Sequence, residues 1–309
     1  MKLYKGDCLI ESDKIESGSV DLILTDLPYG TVKDLGNSDT IKHGMKGKTE
    51  WDSVIDTNKI MDIANRILRK NGKMILTAQH PFTNELINKA NANVPFNYSM
   101  IWEKDHFANA LTAKKAPLNY YEDVLVFSKN EDTEKAHPLR EYFYTEYEKT
   151  GLTYKEINRD YLETTFEGGG GMAYNMLCRT RLYFSMPTQD AYSRLQKTGC
   201  FNKPYNELKI EDEAFKNKTR STFNLWEGGK VKSNILKYKK DYTGQHPTQK
   251  PVLLFEDLIK TFSNEDNLVV DLTMGSGSTG VACKNTNRDF IGIEMNNEYY
   301  YIACKRVGL

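Results

Sequence analysis

The stretch NLVVDLTMGSGSTG, residues 267–280, decides the fold. An apolar run that reads as a strand passes directly into G-x-G-x-x-G and then into a segment that reads as a helix from about Ser278. Gly275, Gly277 and Gly280 let a backbone approach a bound group closely, and the helix behind them aims free N–H groups at it. Glu294 ends the next strand, RDFIGIE, where an acid can take both hydroxyls of a ribose. This end of the chain therefore predicts a site for an adenosine-containing cofactor, a dinucleotide or S-adenosylmethionine; a tight turn without a ligand is the plain alternative. Asp271, at the strand tip, tilts the choice. A carboxylate there repels a pyrophosphate and attracts a sulfonium that also carries an ammonium group.

Working outward, the rest of the chain alternates strand and helix on either side of a different middle. SVDLILTD (19–26) is a nearly unbroken apolar run, the pattern of a parallel strand buried on both faces. TNKIMDIANRILRK (57–70) carries Ile60, Ile63, Ala64, Ile67 and Leu68 at helical spacing, with Asn71-Gly72 as its stop signal. KMILTA, NYSMIWEK and YEDVLVFSK read as strands, VLLFEDLIKTF and NNEYYYIACKRV as helices. Residues 130–240 break the alternation. GLTYKEINRDYL (151–162) reads there as a helix with a Thr cap that can pair with 174–183 as a helix-turn-helix or as two plain surface helices. The pattern predicts one α/β domain covered on both faces and formed by 1–129 and 241–309, with 130–240 inserted into it.

Composition narrows the class without naming it. Hydrophobic residues make up 39%, enough for a core. No run approaches a membrane span and the N-terminus lacks a signal-peptide core, so a cytoplasmic protein is expected. The five cysteines are scattered, with no C-x-x-C pair, which argues against a zinc site or a disulfide framework. Lys plus Arg and Asp plus Glu balance at 42 each, but eight Lys/Arg and a single acid, Glu227, fall in 214–240. Such a stretch is either a solvated surface or a phosphate-binding one.

The second informative stretch is DLPYG, 26–30, delivered at the carboxyl end of the SVDLILT strand, where open α/β sheets hold ligands. Pro28 stiffens the backbone, Tyr29 offers a stacking face and Gly30 permits a close turn. Asp26 and the Leu27 carbonyl can each accept a hydrogen bond from an amine. Together, DLPYG, HPTQKP (246–251), DLTMGSGSTG and GIE resemble the amino-methyltransferases of DNA, in the motif order of their beta group. The resemblance spans residues 2–30, 57–128 and 245–307, about half of the chain.

The resemblance implies a Rossmann-like methyltransferase sheet with circularly permuted motifs, in which the half that handles the base precedes the half that binds cofactor. It implies methyl transfer from S-adenosylmethionine, without a metal, to the exocyclic amine of a flipped base. Asp26, Leu27, Pro28 and Tyr29 match the amine-gripping motif, although position 27 usually holds a second proline in the family. The leading Asp suggests adenine N6 as the target; cytosine N4 is the alternative, and a DNA-binding protein with an inactive fold the more distant one. Asp271, Met274, Gly275 and Gly277 match the glycine loop, Glu294 the ribose acid, Lys250 (with Pro251) another cofactor segment, and Asp7 the position that meets the cofactor's adenine. Double-stranded DNA is the implied partner, with a second copy of the chain and a cognate restriction endonuclease left open, in a bacterial or phage setting. Residues 130–240 become the target-recognition module, with Asn175, Arg179 and Arg181 as base-reader types. The loop 31–50 is read as a lid or an idle surface loop. Scattered His43, His80, His106 and His137 carry no metal-ligand pattern, His246 orders a turn, and Trp51, Trp102 and Trp226 read as packing.

Overall fold

The computed structural model describes residues 1–30, 55–108, 113–131, 137–164, 171–180, 184–241 and 249–309. The 31–50 loop, His43, Trp51, Arg181 and His246 lie outside these residues. The chain divides into two compact units, 1–130 with 221–309, and 131–220.

The first unit is built on β1 (Lys2–Lys5), α1 (Cys8–Glu11), β2 (Val20–Thr25), α2 (Thr57–Ile67), β3 (Leu68–Ala78), α3 (Phe82–Asn88), β4 (Phe96–Ala108) and β5 (Asn119–Ser128). The second unit contributes α4 (Leu139–Thr150), α5 (Tyr154–Asp160), α6 (Gly171–Leu177), α7 (Gln189–Gln196) and α8 (Tyr205–Lys218). The chain then returns to the first unit with β6 (Ile235–Lys237), α9 (Val252–Phe262), β7 (Leu268–Asp271), α10 (Ser278–Asn285), β8 (Asp289–Glu294) and α11 (Asn297–Val307).

Among the described residues the strands form one eight-stranded sheet in the order β1-β8-β7-β2-β3-β5-β4-β6. β1, β8, β7, β2 and β3 run parallel; β5 is antiparallel to both β3 and β4. The central strand β2 explains its own sequence. Leu22 and Leu24 point into a core shared with Leu254, Phe255, Leu258 and Ile259 of α9 and Ala282 of α10. Ile23, between them, enters the opposite core with Ile60, Ala64 and Ile67 of α2 and Leu86 of α3. All three are fully buried, so both alternating faces must be apolar. Each such side chain contributes about 1.5–3 kcal/mol.

α2 ends earlier than its periodicity predicts. It stops at Ile67, and Leu68 turns extended. Asn71 adopts a left-handed conformation, φ 62°. Its N–H donates to the Lys129 carbonyl at 2.9 Å, and the Lys129 N–H donates to the Gly72 carbonyl at 3.0 Å. Arg69 meanwhile pairs with Asp21 at 2.6 Å. Sheet pairing thus captures 68–72, which would otherwise complete the helix.

The second unit is helical among its described residues, packed on Leu139, Phe143, Ile157, Met176, Tyr192, Leu195, Phe201 and Leu208. α5 starts in a capping box, Thr153 with Glu156, the cap its sequence predicts. This unit ends at Arg220, before the predicted limit of 240. Residues 221–240 pack with the sheet unit: β6 pairs with β4, the Asn224 N–H donates to the Thr261 carbonyl at 2.8 Å, and the Trp102 indole donates to the Tyr238 carbonyl at 2.8 Å. A three-residue edge strand is too short to show in a sequence pattern.

Candidate active site

β2 lies between β7 and β3, all three parallel, so their carboxyl ends emerge side by side. The Thr25 hydroxyl donates to Asp271 Oδ1 at 2.7 Å, and the Thr273 hydroxyl donates to the Asp26 carbonyl at 3.0 Å. DLPYG and the glycine loop, at opposite ends of the chain, are therefore in direct contact.

The Asp26 carboxylate is fully engaged. Oδ1 accepts from the Tyr29 hydroxyl at 2.7 Å and from the Thr77 hydroxyl at the end of β3. Oδ2 faces the Lys250 ammonium at 2.7 Å. Lys250 continues to Glu122 Oε2 at 3.1 Å, and Glu122 Oε1 meets Lys104 Nζ at 3.2 Å and Gln79 Nε2 at 3.3 Å. Lys250, Glu122 and Lys104 are all buried. Burial disfavours the Lys250 charge, but Asp26 and Glu122 outweigh it and raise the affinity of this amine for its proton. Burial likewise acts to raise Glu122, and Lys250 and Lys104 overcome it, leaving the carboxyl below its usual range. Burial, with the Asp26 and Glu122 charges, pushes the Tyr29 phenol well up, so it is a neutral donor. Its ring packs on Phe82 at a centroid distance of 5.6 Å. Leu27 is buried, while Pro28 and Tyr29 keep partial exposure.

On the other side the glycine loop is rigidly held. Gly277 takes φ 82°, and a Cβ there would lie 2.9 Å from the Ala303 Cβ, so this position admits only glycine. The Met274 N–H donates to the Ile293 carbonyl at 2.9 Å, and Met274 itself is buried in the core. Arg306, from α11, donates to the Ser276 carbonyl at 2.8 Å. Glu294 Oε2 accepts from the Gly275 N–H at 2.9 Å and Oε1 from the Asn296 N–H at 2.7 Å. Burial raises this carboxyl above its usual range against those two hydrogen bonds. The Gly6 N–H donates to the Glu294 carbonyl at 3.0 Å, which brings Asp7 to the same strand ends. Asp7 caps α1 through the Leu9 N–H at 2.9 Å.

Asp271 differs from its expected place. Rather than facing a ligand it is buried, with its oxygens taken by the Thr25 and Thr279 hydroxyls and the Thr273 N–H. Burial pushes its pKa up to about 6. Lys250 also differs: its ammonium lies on Asp26. Glu122, Lys104, Thr77, Thr25 and Thr273 went unread in the sequence. Strand polar residues look like ordinary surface positions until the sheet order is known.

Residues 20–305 match the model of the DNA methylase family. The chain belongs to this family. It is 26% identical to the Type II methyltransferase M.HindIII of Haemophilus influenzae over 99% of this chain and 95% of that protein. It is 27% identical to the DNA adenine methyltransferase YhdJ of Escherichia coli over 99% of this chain and 82% of the relative. Its fold matches that of the M1.HpyAVI–SAM complex at a TM-score of 0.53, with 18% identity and coverage of 99% and 98% of the two chains. The PvuII DNA methyltransferase (cytosine-N4-specific) gives 0.53 at 14% identity, over 98% and 85%.

Family membership implies S-adenosylmethionine, and the donor set fits it. Each Glu294 oxygen accepts one N–H and keeps a lone pair for a ribose hydroxyl. Among the described residues no group of three or more His, Cys, Asp or Glu is arranged to hold a metal ion, and no helix is long and apolar enough to cross a membrane. His80 lies 3.7 Å from Asp123, His106 3.1 Å from Asp105 and His137 3.2 Å from Asp212. Trp102 is buried, and Trp226 donates to Asp257 at 3.1 Å. Within the second unit Asn175 lies on α6, and the exposed Arg179 pairs with Glu141 at 3.3 Å.

Proposed function

We propose that the chain methylates the N6 amine of adenine in DNA, with Asp26 as the group that engages the amine. The contact between the two strand ends, Thr273 on Asp26 and Thr25 on Asp271, is the observation that carries this reading. Adenine is favoured over cytosine by the acid at position 26 and by likeness to an adenine methyltransferase along nearly the whole chain.

S-adenosylmethionine supplies an electrophilic methyl group on a sulfonium. This chain's part is to hold the nucleophile and aim it. An exocyclic aromatic amine has its lone pair delocalised into the ring. Hydrogen bonds from its N–H groups to Asp26 and to the Leu27 carbonyl favour the tetrahedral nitrogen that attacks. Extruding the base costs a few kcal/mol, which stacking on Tyr29 partly offsets. The Tyr29 hydroxyl occupies Asp26 Oδ1, so in this reading it gives up that acceptor when the amine binds.

Glu294 holds the ribose, Asp7 the adenine, and Gly275 and Gly277 allow close backbone approach, with Pro28 stiffening the facing loop. Met274 acts through packing. Asp271 acts as the anchor of the loop. Lys250 is assigned to the amine side, where its ammonium supports Asp26. The 131–220 unit is the proposed reader of the target sequence. A cytoplasmic location and a cognate restriction endonuclease suit likeness to Type II methyltransferases.

The test is mass spectrometry of nucleosides from DNA incubated with the protein and S-adenosylmethionine. N6-methyladenine is expected; N4-methylcytosine, or no methylated nucleoside, refutes the assignment.

A further inference from the structure

Asp26, Lys250, Glu122 and Lys104 form a line of alternating charge, linked at 2.7, 3.1 and 3.2 Å. Three members are buried, and only Asp26 keeps appreciable exposure, 22% of its side chain. The line thus ends at the acid that meets the substrate. Its roots lie on strands: Lys104 on β4 and Glu122 on β5. Lys250 immediately precedes Pro251, the N-cap of α9. The four formal charges sum to zero. A burial cost of this size persists only if each charge is balanced.

A lone ammonium beside Asp26 would work against the reaction. The attacking amine gains positive charge as the bond forms, and a carboxylate locked in a one-to-one ion pair is a weaker acceptor for it. Glu122 changes that balance. It faces the same ammonium and divides its attraction between two carboxylates. We propose that Glu122 is a positioning residue for methyl transfer: it counterbalances Lys250 so that Asp26 is held in place yet remains an effective acceptor. This inference rests on the assignment of Asp26 as the amine-engaging group.

The charge sum gives the test. Glu122→Gln takes the line to +1, Lys250→Met takes it to −1, and the double variant returns it to zero. Glu122→Gln is expected to lower kcat for DNA methylation by about 10- to 100-fold, the scale for a group that orients a reacting one. S-adenosylmethionine affinity by calorimetry and KM for DNA should both stay close to wild type, as expected when the interaction lost is made in the transition state. The double variant is expected to recover to within about fivefold of wild type, because the interaction between the sites is non-additive. A merely structural role predicts the opposite: losses that add, and a double variant worse than either single one.

Glu122→Gln with unchanged kcat, or a double variant at or below the product of the two single effects, overturns the proposal. Where Glu122→Gln melts below the assay temperature, the charge-restored double variant is compared with Lys250→Met: a higher kcat in the double variant is expected, and a kcat at or below that of Lys250→Met is contrary. Asp26→Ala separates this inference from the assignment beneath it. If Asp26→Ala is inactive while Glu122→Gln is normal, only the counterbalance fails. If Asp26→Ala still methylates, the assignment of Asp26 itself fails.

Discussion

Two aspartates end neighbouring parallel strands and differ in almost everything else. Asp26, after β2, is partly exposed and faces a buried ammonium. Asp271, closing β7, is buried and among the described residues receives two hydroxyls and an N–H. Without a cation, burial raises the Asp271 carboxyl to about 6. The same residue type at equivalent ends of adjacent strands thus acquires two roles through its partners. One is the proposed acceptor for the amine; the other fastens the glycine loop to β2 through Thr25 and Thr279. Environment, more than residue identity, sorts catalytic from structural carboxylates.

The largest effect that can break this contrast is at Asp26. Asp26→Ala should lower methyl transfer by about a thousandfold or more, the scale for losing a positioned electrostatic group. S-adenosylmethionine affinity, measured by calorimetry, should remain close to wild type. Equal loss of both would erase the division between the two ends. Next is Glu294→Ala, which should weaken cofactor binding by about 10- to 100-fold through lost charge-assisted hydrogen bonds. Here too calorimetry is the readout, and DNA binding by anisotropy should be unaffected.

Asp271 gives a smaller effect with a defined sign. Its folded pKa lies above the ordinary carboxyl value of 3.8, so the folded protein binds this proton more tightly than the unfolded chain. Stability from this group is therefore full below about pH 4 and declines as pH rises to about 6, by up to about 3 kcal/mol. Asp271→Asn lacks this dependence. Urea unfolding across that range should show wild type gaining on the variant as pH falls; a constant difference would mean Asp271 is not the desolvated group described above.

The smallest effect concerns the basic stretch 214–240. Lys216 pairs with Asp212 at 2.7 Å, Lys232 with Asp257 at 2.7 Å and Lys237 with Glu103 at 3.1 Å. These lysines are already engaged within the protein. Lys232→Ala should lower the melting temperature more than it changes DNA binding. Lys230→Ala, at an exposed position, should reduce the salt slope of DNA binding by about 1 if it meets a phosphate.

The same contrast explains what the sequence reveals. Asp26, Gly275, Gly277 and Glu294 are legible because each belongs to a short local pattern with a mechanical reason. The permuted sheet is legible because buried parallel strands are apolar throughout. Glu122 is not, since YEDVLVFSK advertises only a strand and its partner Lys250 comes from the far side of the insertion. Thr25, Thr77 and Thr273 become meaningful only when β7, β2 and β3 lie side by side. The early end of α2 is hidden for a related reason: Leu68 suits a helix face and a sheet core equally well, and the choice belongs to Val20 and Lys129, remote in sequence. The partners of Asp271 are hidden in the sequence because a strand-tip acid looks the same whether it turns toward solvent or toward two threonines.

The most direct test of the central claim, that the ends of β2 and β7 form one methyl-transfer site, is a crystal structure with S-adenosylhomocysteine. The ribose hydroxyls should lie on Glu294, the adenine beside Asp7, and the sulfur should face Asp26. A ligand bound elsewhere, or a sulfur directed away from Asp26 across the Gly275 loop, would contradict it.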